Sequence, residues 1–367
     1  MCDHQDLYIT SPVAGALRTP AAPHQELLAC LNRITALNPP VHTCSTGWTF
    51  HGFYSGPTSI AYLFYSLSLL YPKLAFKQQS LLEWAQVYLD LGAPVHRIAP
   101  TAKDCGIGNE MLAHTAMLVL MSDDAGAVQR LCLYERAIND ETNDGLNDWR
   151  YGRAGYLYYL RLCKSSLSFI DNPRINETIE KTIRRMLKVP QPWIRHEKAG
   201  AAQGNIGILC QIVLSMPKAA VELQDQLASL LDKQSDDELM QFCQGASGFV
   251  QSLRSLRPYY PELDTNIARA ISRAQADIWR RGLLRKMPCL CHGIAGNALA
   301  LDDQAQFLHF LSFMGTEEME ARGWMRDIGP RQDISMASLF TGEAGRAWIW
   351  AVADRNLPKT CIGLNDV

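Results

Sequence analysis

Residues 287–299, M-P-C-L-C-H-G-I-A-G-N-A-L, contain the pattern that decides the fold of this chain. Cys291 and His292 stand side by side directly before a G-x-x-G turn, and the apolar run after the turn predicts the start of a helix. Residues 242–250, F-C-Q-G-A-S-G-F-V, have the same layout, with Cys243 two residues before its own G-x-x-G, as Cys291 is. We interpret the two segments as repeats of one structural unit.

Seven such units recur along the chain at intervals of roughly 40 to 50 residues. They are F-Y-S-G-P-T-S-I-A-Y-L at 53–63, C-G-I-G-N-E-M-L-A at 105–113, W-R-Y-G-R-A-G-Y-L-Y-Y-L at 149–160, G-A-A-Q-G-N-I-G-I-L-C at 200–210, C-Q-G-A-S-G-F-V-Q-S-L at 243–253, C-H-G-I-A-G-N-A-L-A-L at 291–301 and S-L-F-T-G-E-A-G-R-A-W-I-W at 338–350. Each unit continues with an apolar run, a polar loop and an amphipathic stretch, which predicts two helices per unit and about fourteen in all. Seven similar hairpins can close on themselves, so we predict an all-α protein folded as an α/α toroid, with the glycine turns at one central mouth.

The composition limits the class of protein. The chain has 367 residues, 47% of them hydrophobic and 20% charged, with a formal net charge of -2, which is typical of a soluble globular protein and gives no reason to expect nucleic acid or an anionic membrane as a partner. No leader pattern and no run of about eighteen apolar residues is present, so we expect a cytoplasmic protein without a membrane span. Eleven cysteines, an odd number spread through helical patterns, favour free, buried or metal-bound thiols over disulfides.

The N-terminal part differs from the rest. Prolines interrupt residues 1–45, so we expect an irregular arm laid on the body, in which only residues 25–37 can form a helix of about three turns. Residues 46–367 are expected to form a single seven-repeat toroid domain.

The cysteines and the histidine that precede the fifth and sixth turns predict a metal site. If the turns converge, Cys243, Cys291 and His292 meet and provide two thiolates and one imidazole, leaving a fourth position open. Zinc prefers such ligands, and three protein ligands with an open position are typical of catalytic zinc. The metal would hold an incoming thiol as a thiolate nucleophile. The alternative is two buried cysteines and a histidine that caps a helix.

The motifs resemble those of the LanC-like family over nearly the whole chain from about residue 50, and most closely those of its eukaryotic branch. The residues that carry the resemblance are Y-G-R-A-G-Y at 151, G-A-A-Q-G at 200, C-Q-G-A-S-G at 243, L-C-H-G-I-A-G-N-A at 290 and S-L-F-T-G-E-A-G at 338. The resemblance implies Michael addition of a cysteine or glutathione thiol to a dehydroamino acid, which forms a thioether such as lanthionine. It also implies one zinc ion, held by the three residues named above, and places glutathione-binding basic residues at Lys286 and Arg331.

Two positions depart from the family pattern. Gln203 stands where the family's G-A-A-H-G motif has a histidine, and Gln244 follows the first zinc cysteine where relatives have tyrosine or histidine. An amide cannot exchange a proton near pH 7, although it can orient a carbonyl or hold an enolate oxygen. His196, seven residues before Gln203, is either a replacement proton carrier or a solvated loop histidine. Arg153 either contacts an anionic substrate or caps helix carbonyls.

Two functions follow from these patterns. The first is a zinc-dependent enzyme that adds a thiol to an electron-poor alkene, either a dehydroamino acid in a peptide or a small-molecule electrophile of specialised metabolism. The second is a zinc-containing protein that binds glutathione or a peptide without turnover, which the two amide replacements favour.

Overall fold

The computed structural model describes most of the chain in twelve ranges. These are residues 7–11, 17–20, 22–41, 48–92, 98–122, 124–142, 144–166, 173–190, 192–194, 199–233, 239–324 and 336–367. Within these ranges, no helix combines the length and the apolar character needed to cross a lipid bilayer.

Within the described ranges, seven inner helices form a closed ring, one from each repeat. They are α2 (Pro57–Leu70), α4 (Glu110–Ser122), α7 (Arg153–Ser166), α9 (Asn205–Ser215), α11 (Ala246–Leu256), α13 (Ile294–Leu299) and α16 (Glu343–Arg355). Each helix contacts the next one in this order, and α16 contacts α2. The ring therefore closes, and the predicted α/α toroid is confirmed. Its inner helices are buried almost all round; in α2, for example, Ala61 and Leu63 lie on opposite faces and both are fully buried.

Seven outer helices surround this ring. They are α1 (Pro23–Leu37), α3 (Leu81–Leu91), α5 (Ala125–Leu133), α8 (Pro173–Leu187), α10 (Gln224–Asp232), α12 (Asp264–Arg281) and α14 (Gln304–Ser312). Each of them except α1 packs on the inner helix that precedes it in the chain. Outer helices such as α12 bury one apolar stripe and expose arginines such as Arg269 on the other side. Within the described ranges, thirteen of these fourteen helices lie in residues 46–367, where the repeats predicted all of them, and α1 is the fourteenth.

Shorter elements connect these helices. They are the helices α6 (Glu135–Ile138) and α15 (Thr316–Ala321), the 3-10 turns Pro217–Leu223, Arg257–Tyr259 and Pro261–Leu263, and the strands β1 (Tyr8–Ile9), β2 (Ala75–Phe76), β3 (Gln79–Ser80) and β4 (Leu283–Leu284). β2 and β3 form a small antiparallel hairpin before α3. β1 pairs with β4 in antiparallel register, with Tyr8 opposite Leu284, which ties the N-terminal segment to the loop that leads into the sixth turn.

Helix α1 completes the ring from the other end of the sequence. It lies within residues 1–45, which we set apart as an arm, yet it packs along α16 as the outer helix of the seventh hairpin. A buried ionic network fixes this seam. Glu343 of α16 lies 3.1 Å from Arg33 of α1 and 3.2 Å from Arg346, and both Glu343 and Arg346 are fully buried. Breaking one member of such a network is costly because it leaves an unpaired buried charge.

The last residues of the chain fill the centre of the ring. Arg161 of α7 donates to the carbonyl oxygens of Leu364 and Val367, at 2.8 and 3.1 Å. Gln211 of α9 donates to the Leu364 carbonyl oxygen at 2.9 Å. Tyr62 of α2 donates to Asp366 at 2.8 Å. Helices from different sides of the ring thus hold one segment, residues 361–367.

Candidate active site

The glycine turns meet at one end of the ring, as the repeats predicted. The first glycine of the motif is the N-cap of five inner helices, at Gly56, Gly204, Gly245, Gly293 and Gly342. Backbone hydrogen bonds join successive turns. The amide of Cys243 donates to the carbonyl of Cys291 at 3.2 Å, Cys291 donates to Phe340 at 2.9 Å, and Phe340 donates to Tyr54 at 3.2 Å. Residues of the first, fifth, sixth and seventh repeats are thereby brought side by side.

The second glycine of the motif lets each turn fold back on its helix. In five repeats, a Cβ atom at this glycine would lie only 1.8 to 2.3 Å from the carbonyl oxygen of the residue six positions earlier. The glycines are Gly155, Gly207, Gly248, Gly296 and Gly345. No side chain fits at such a distance, so the recurring G-x-x-G is a steric requirement of the turn.

Cys243 and Cys291 form the centre of the site. Their thiols hydrogen bond to each other, and the bond from Cys291 lowers the pKa of Cys243 below its ordinary value. The same contact and burial raise the pKa of Cys291. The hydroxyl of Tyr54 donates to the sulfur of Cys291 at 3.1 Å. The pair therefore ionises first at Cys243, the more exposed of the two sulfurs.

His292, the residue after Cys291, is half-buried. Burial is the main cause that lowers the pKa of its imidazole to about 4, and the positive charges of Lys286 and Arg150 contribute. The imidazole is therefore neutral at pH 7, the form that binds metals. Within the residues described, no three His, Cys, Asp or Glu side chains are already arranged as a metal site. The two sulfurs contact each other. His292 is adjacent to Cys291 in the sequence, but its side chain is not grouped with the two sulfurs as a metal site.

The two glutamines that replace proton-handling residues lie together at the rim. The side-chain nitrogen of Gln244 donates to the side-chain oxygen of Gln203, and the backbone amide of Gln203 donates to the carbonyl of Cys243 at 3.1 Å. Both side chains are half-buried. The structure thus brings both predicted residues together, next to the backbone of Cys243.

Positive charge collects around the thiols. Lys286 and Arg150 both help to lower the pKa of Cys243, which places their charges close to its sulfur. Sequence reasoning singled out Lys286 and missed Arg150. The register of the repeats contained the signal, since Arg150 stands two residues before Gly152, as Cys243 and Cys291 stand before their glycines.

Arg153 is not part of this mouth. Its side chain is fully buried and donates to the carbonyl oxygens of Ile138, at the end of α6, and Leu146, at 3.1 and 3.4 Å, and to the side chain of Asn147 at 3.0 Å. Burial leaves it no surface for a ligand, which corrects the expectation of an anionic substrate there and leaves the capping role. His196 and Arg331 lie outside the described residues.

The comparisons with known proteins agree with this architecture. The sequence profile of the family described as "Lanthionine synthetase C-like protein" matches residues 120–351. Among solved structures, the chain is similar to one titled "Nisin cyclase", with a TM-score of 0.53 and 14% sequence identity over 92% of this chain and 94% of that one. At this identity the second comparison speaks for the fold alone.

The profile covers more than half of the chain, and the chain belongs to the lanthionine synthetase C-like family. Membership supports a thioether-forming, lanthionine-synthetase-like role with a peptide or thiol substrate.

Proposed function

We propose that the chain is a zinc-dependent enzyme that adds a thiol, from glutathione or a cysteine residue, to an electron-poor alkene such as a dehydroamino acid. One observation carries the proposal: the thiols of Cys243 and Cys291, from successive turns, hydrogen bond to each other at the mouth of the ring, and His292 is the next residue after Cys291. Sulfurs that share a proton in this way are suited to deprotonation by a soft cation.

The donor set fits zinc in its chemistry. Cys243 and Cys291 would supply two thiolates and His292 a neutral imidazole, which makes no hydrogen bond among the described residues. Three ligands leave one position for a substrate. Zinc bound there would lower the pKa of the substrate thiol and stabilise its thiolate.

The residues around the thiols would position the acceptor. In the reaction, a bond forms between sulfur and the β-carbon of the alkene, the π bond breaks, and its electron pair moves toward the carbonyl oxygen before a proton reaches the α-carbon. No oxidant or reductant is needed. The side-chain nitrogen of Gln203 is not used in its bond with Gln244, so it can donate to that carbonyl oxygen as negative charge develops. Neither amide can supply the proton, which must come from water or from His196.

A cytoplasmic location suits this chemistry, because the nine cysteines within the described ranges are all free thiols and the reaction needs a reduced thiol substrate. The acceptor is then a dehydroamino acid in a peptide or a small-molecule electrophile.

A second candidate is a zinc-containing protein that binds glutathione or a peptide without turnover. The bond between Gln244 and Gln203 favours it, since two amides occupy the place of a proton carrier. The variant Gln203→His separates the two. Activity gained by this variant alone would identify a site that has lost its catalyst, whereas an active parent that the change leaves unaffected would use another proton source.

Metal analysis and adduct formation in one preparation test the main proposal. We expect about one zinc per chain and, by mass spectrometry, an adduct of glutathione with a dehydroalanine peptide above the buffer control. Cys243→Ala and Cys291→Ala should each remove most of the zinc. Cys289→Ala is the matched control, since Cys289 is a buried thiol two residues from Cys291, and it should keep the metal. A parent protein without zinc would overturn the proposal, and zinc without any adduct would favour binding alone.

A further inference from the structure

Arg150 occupies a defined position in the mouth. Its guanidinium carbon lies 4.0 Å from the ring centroid of Tyr54 and 4.9 Å from that of Tyr151. Tyr54 is buried and its hydroxyl donates to Cys291, so a single tyrosine separates the guanidinium from the sulfur. Stacking on two rings holds the cation without neutralising it.

The guanidinium of Arg150 has no hydrogen bond and no ion pair within the part of the chain that the structure describes. The charge of Arg150 acts to lower the pKa of Asp148, and that carboxylate accepts the backbone N–H of Tyr151 at 2.9 Å. By contrast, the buried Arg161 and Arg153 donate to carbonyl oxygens. Among the described residues, the planar fork of donors on Arg150 is thus unused and can bind an added ligand.

We propose that Arg150 binds a carboxylate of the substrate and so fixes its orientation over the thiol pair. The inference rests on the function proposed above and deepens it, because it names the chemical class of the group bound. A carboxylate matches a guanidinium in charge and in its two-pronged geometry. In cysteine and its derivatives, a carboxylate lies a few bonds from the sulfur. Only Tyr54 separates the guanidinium of Arg150 from the sulfur of Cys291. A substrate with its thiol at Cys243 and Cys291 can therefore place its carboxylate at Arg150.

Binding of matched ligands tests this role. Cysteine and cysteamine differ only by the carboxylate, and their Kd values would be measured by calorimetry on the zinc-loaded full chain. We expect the parent to prefer cysteine, and Arg150→Met to reduce that preference about 10- to 100-fold, as for a lost charge-assisted hydrogen bond. Arg150→Lys should restore part of it, because lysine keeps the charge but not the fork. Arg269→Met, which alters an exposed arginine on α12, is the control and should leave the preference unchanged.

The carboxylate could belong to the acceptor instead of the thiol. The same variants would then change the preference for N-acetyldehydroalanine over its amide, and not that for cysteine over cysteamine. An unchanged ratio in both ligand pairs would overturn the proposal. The proposal would also be overturned if Arg150→Met weakened the binding of both ligands of each pair equally and lowered the Tm. That result would show that Arg150 has a purely structural role. Because the readout is binding, a parent that forms no adduct would count against the enzyme and not against this carboxylate site.

Discussion

Tyr54 is not one of the predicted zinc ligands, but it contacts one of them directly. It comes from the first turn and donates a hydrogen bond to the sulfur of Cys291. Groups that hydrogen bond to metal ligands orient them and stabilise the ligating anion. Tyr54 also stacks on Phe340, with nearly parallel rings 5.6 Å apart, so its position depends on the seventh repeat as well.

We expect Tyr54→Phe to weaken zinc binding about tenfold, because the ring is kept and only the hydrogen bond to the thiolate is lost. Competition with a chromogenic chelator measures the change. Tyr151→Phe is the matched control, since Tyr151 lies at the same mouth with an exposed ring. Equal zinc affinity in the parent and in Tyr54→Phe would show that the hydrogen bond has no effect on the metal.

His292 makes the stability of the zinc-free protein depend on pH. Its pKa is about 4 in the folded chain, against 6.5 for an unperturbed histidine. Between these values the unfolded chain binds more protons, so the free energy of unfolding falls as the pH drops from about 6.5 to about 4. We expect His292 to account for about 1 to 3 kcal/mol of this loss after allowance for solvent screening.

Urea unfolding of the zinc-free protein at pH 7 and at pH 4.5 measures this effect. His292→Asn cannot titrate in this range and should lose less stability than the parent between the two conditions. Identical losses would mean that the imidazole is not held neutral by its surroundings.

At the scale of elements, the turn and the first part of each inner helix act as one unit. Gly248 of α11 faces the carbonyl oxygen of Phe242, and a Cβ atom there would lie 2.0 Å from it. The contact joins the turn that carries Cys243 to the helix that follows. The geometry of the thiol pair is therefore tied to a glycine that has no chemistry of its own.

We expect Gly248→Ala to destabilise the fold by about 2 to 4 kcal/mol, because the added methyl group meets backbone that cannot move aside. Gly315→Ala is the control, since its Cβ would meet only the carboxylate of Glu26, at 3.5 Å, and should cost no more than about 1 kcal/mol. Thermal unfolding of both variants measures the difference. Similar Tm values would show that the turn can relax.

At the scale of the whole molecule, the centre of the ring is filled from two sides. Trp149, Phe242 and Phe340, from three different turns, form an aromatic floor below the thiols, with ring centroids 4.9 to 5.7 Å apart. Residues 361–367 lie against this floor, and the indole of Trp149 donates to the carbonyl of Gly363 at 3.0 Å. The site thus rests on a floor that the end of the chain supports.

Removal of residues 361–367 should lower the Tm by about 10 °C, because buried Arg161 loses its two carbonyl acceptors in this segment, Leu364 and Val367, and keeps only Gln211. Calorimetry would measure the shift. Val367→Ala keeps the backbone carbonyl that Arg161 uses and should stay close to the parent. A truncated chain with the same Tm as the parent would show that residues 361–367 do not contribute to stability.

The sequence by itself determined the repeat, the class of fold and the polar residues that precede the glycine turns. It could do so because a turn that folds back on its own helix needs glycine at fixed positions, and the residues before that glycine are then aimed in the same direction in every repeat. Cys243, Cys291, Gln203 and Gln244 could all be placed in this way.

The tertiary structure alone decided which residues from distant repeats meet. Closure of the ring sets Tyr54 against Cys291 and Arg150 against Tyr54, although the local pattern of each repeat contains no information about its neighbours. Closure also assigns α1 to the last hairpin and buries Arg153 away from the mouth. The physical reason is that the G-x-x-G spacing is a steric condition within one hairpin, whereas these contacts depend on how seven hairpins pack around one axis.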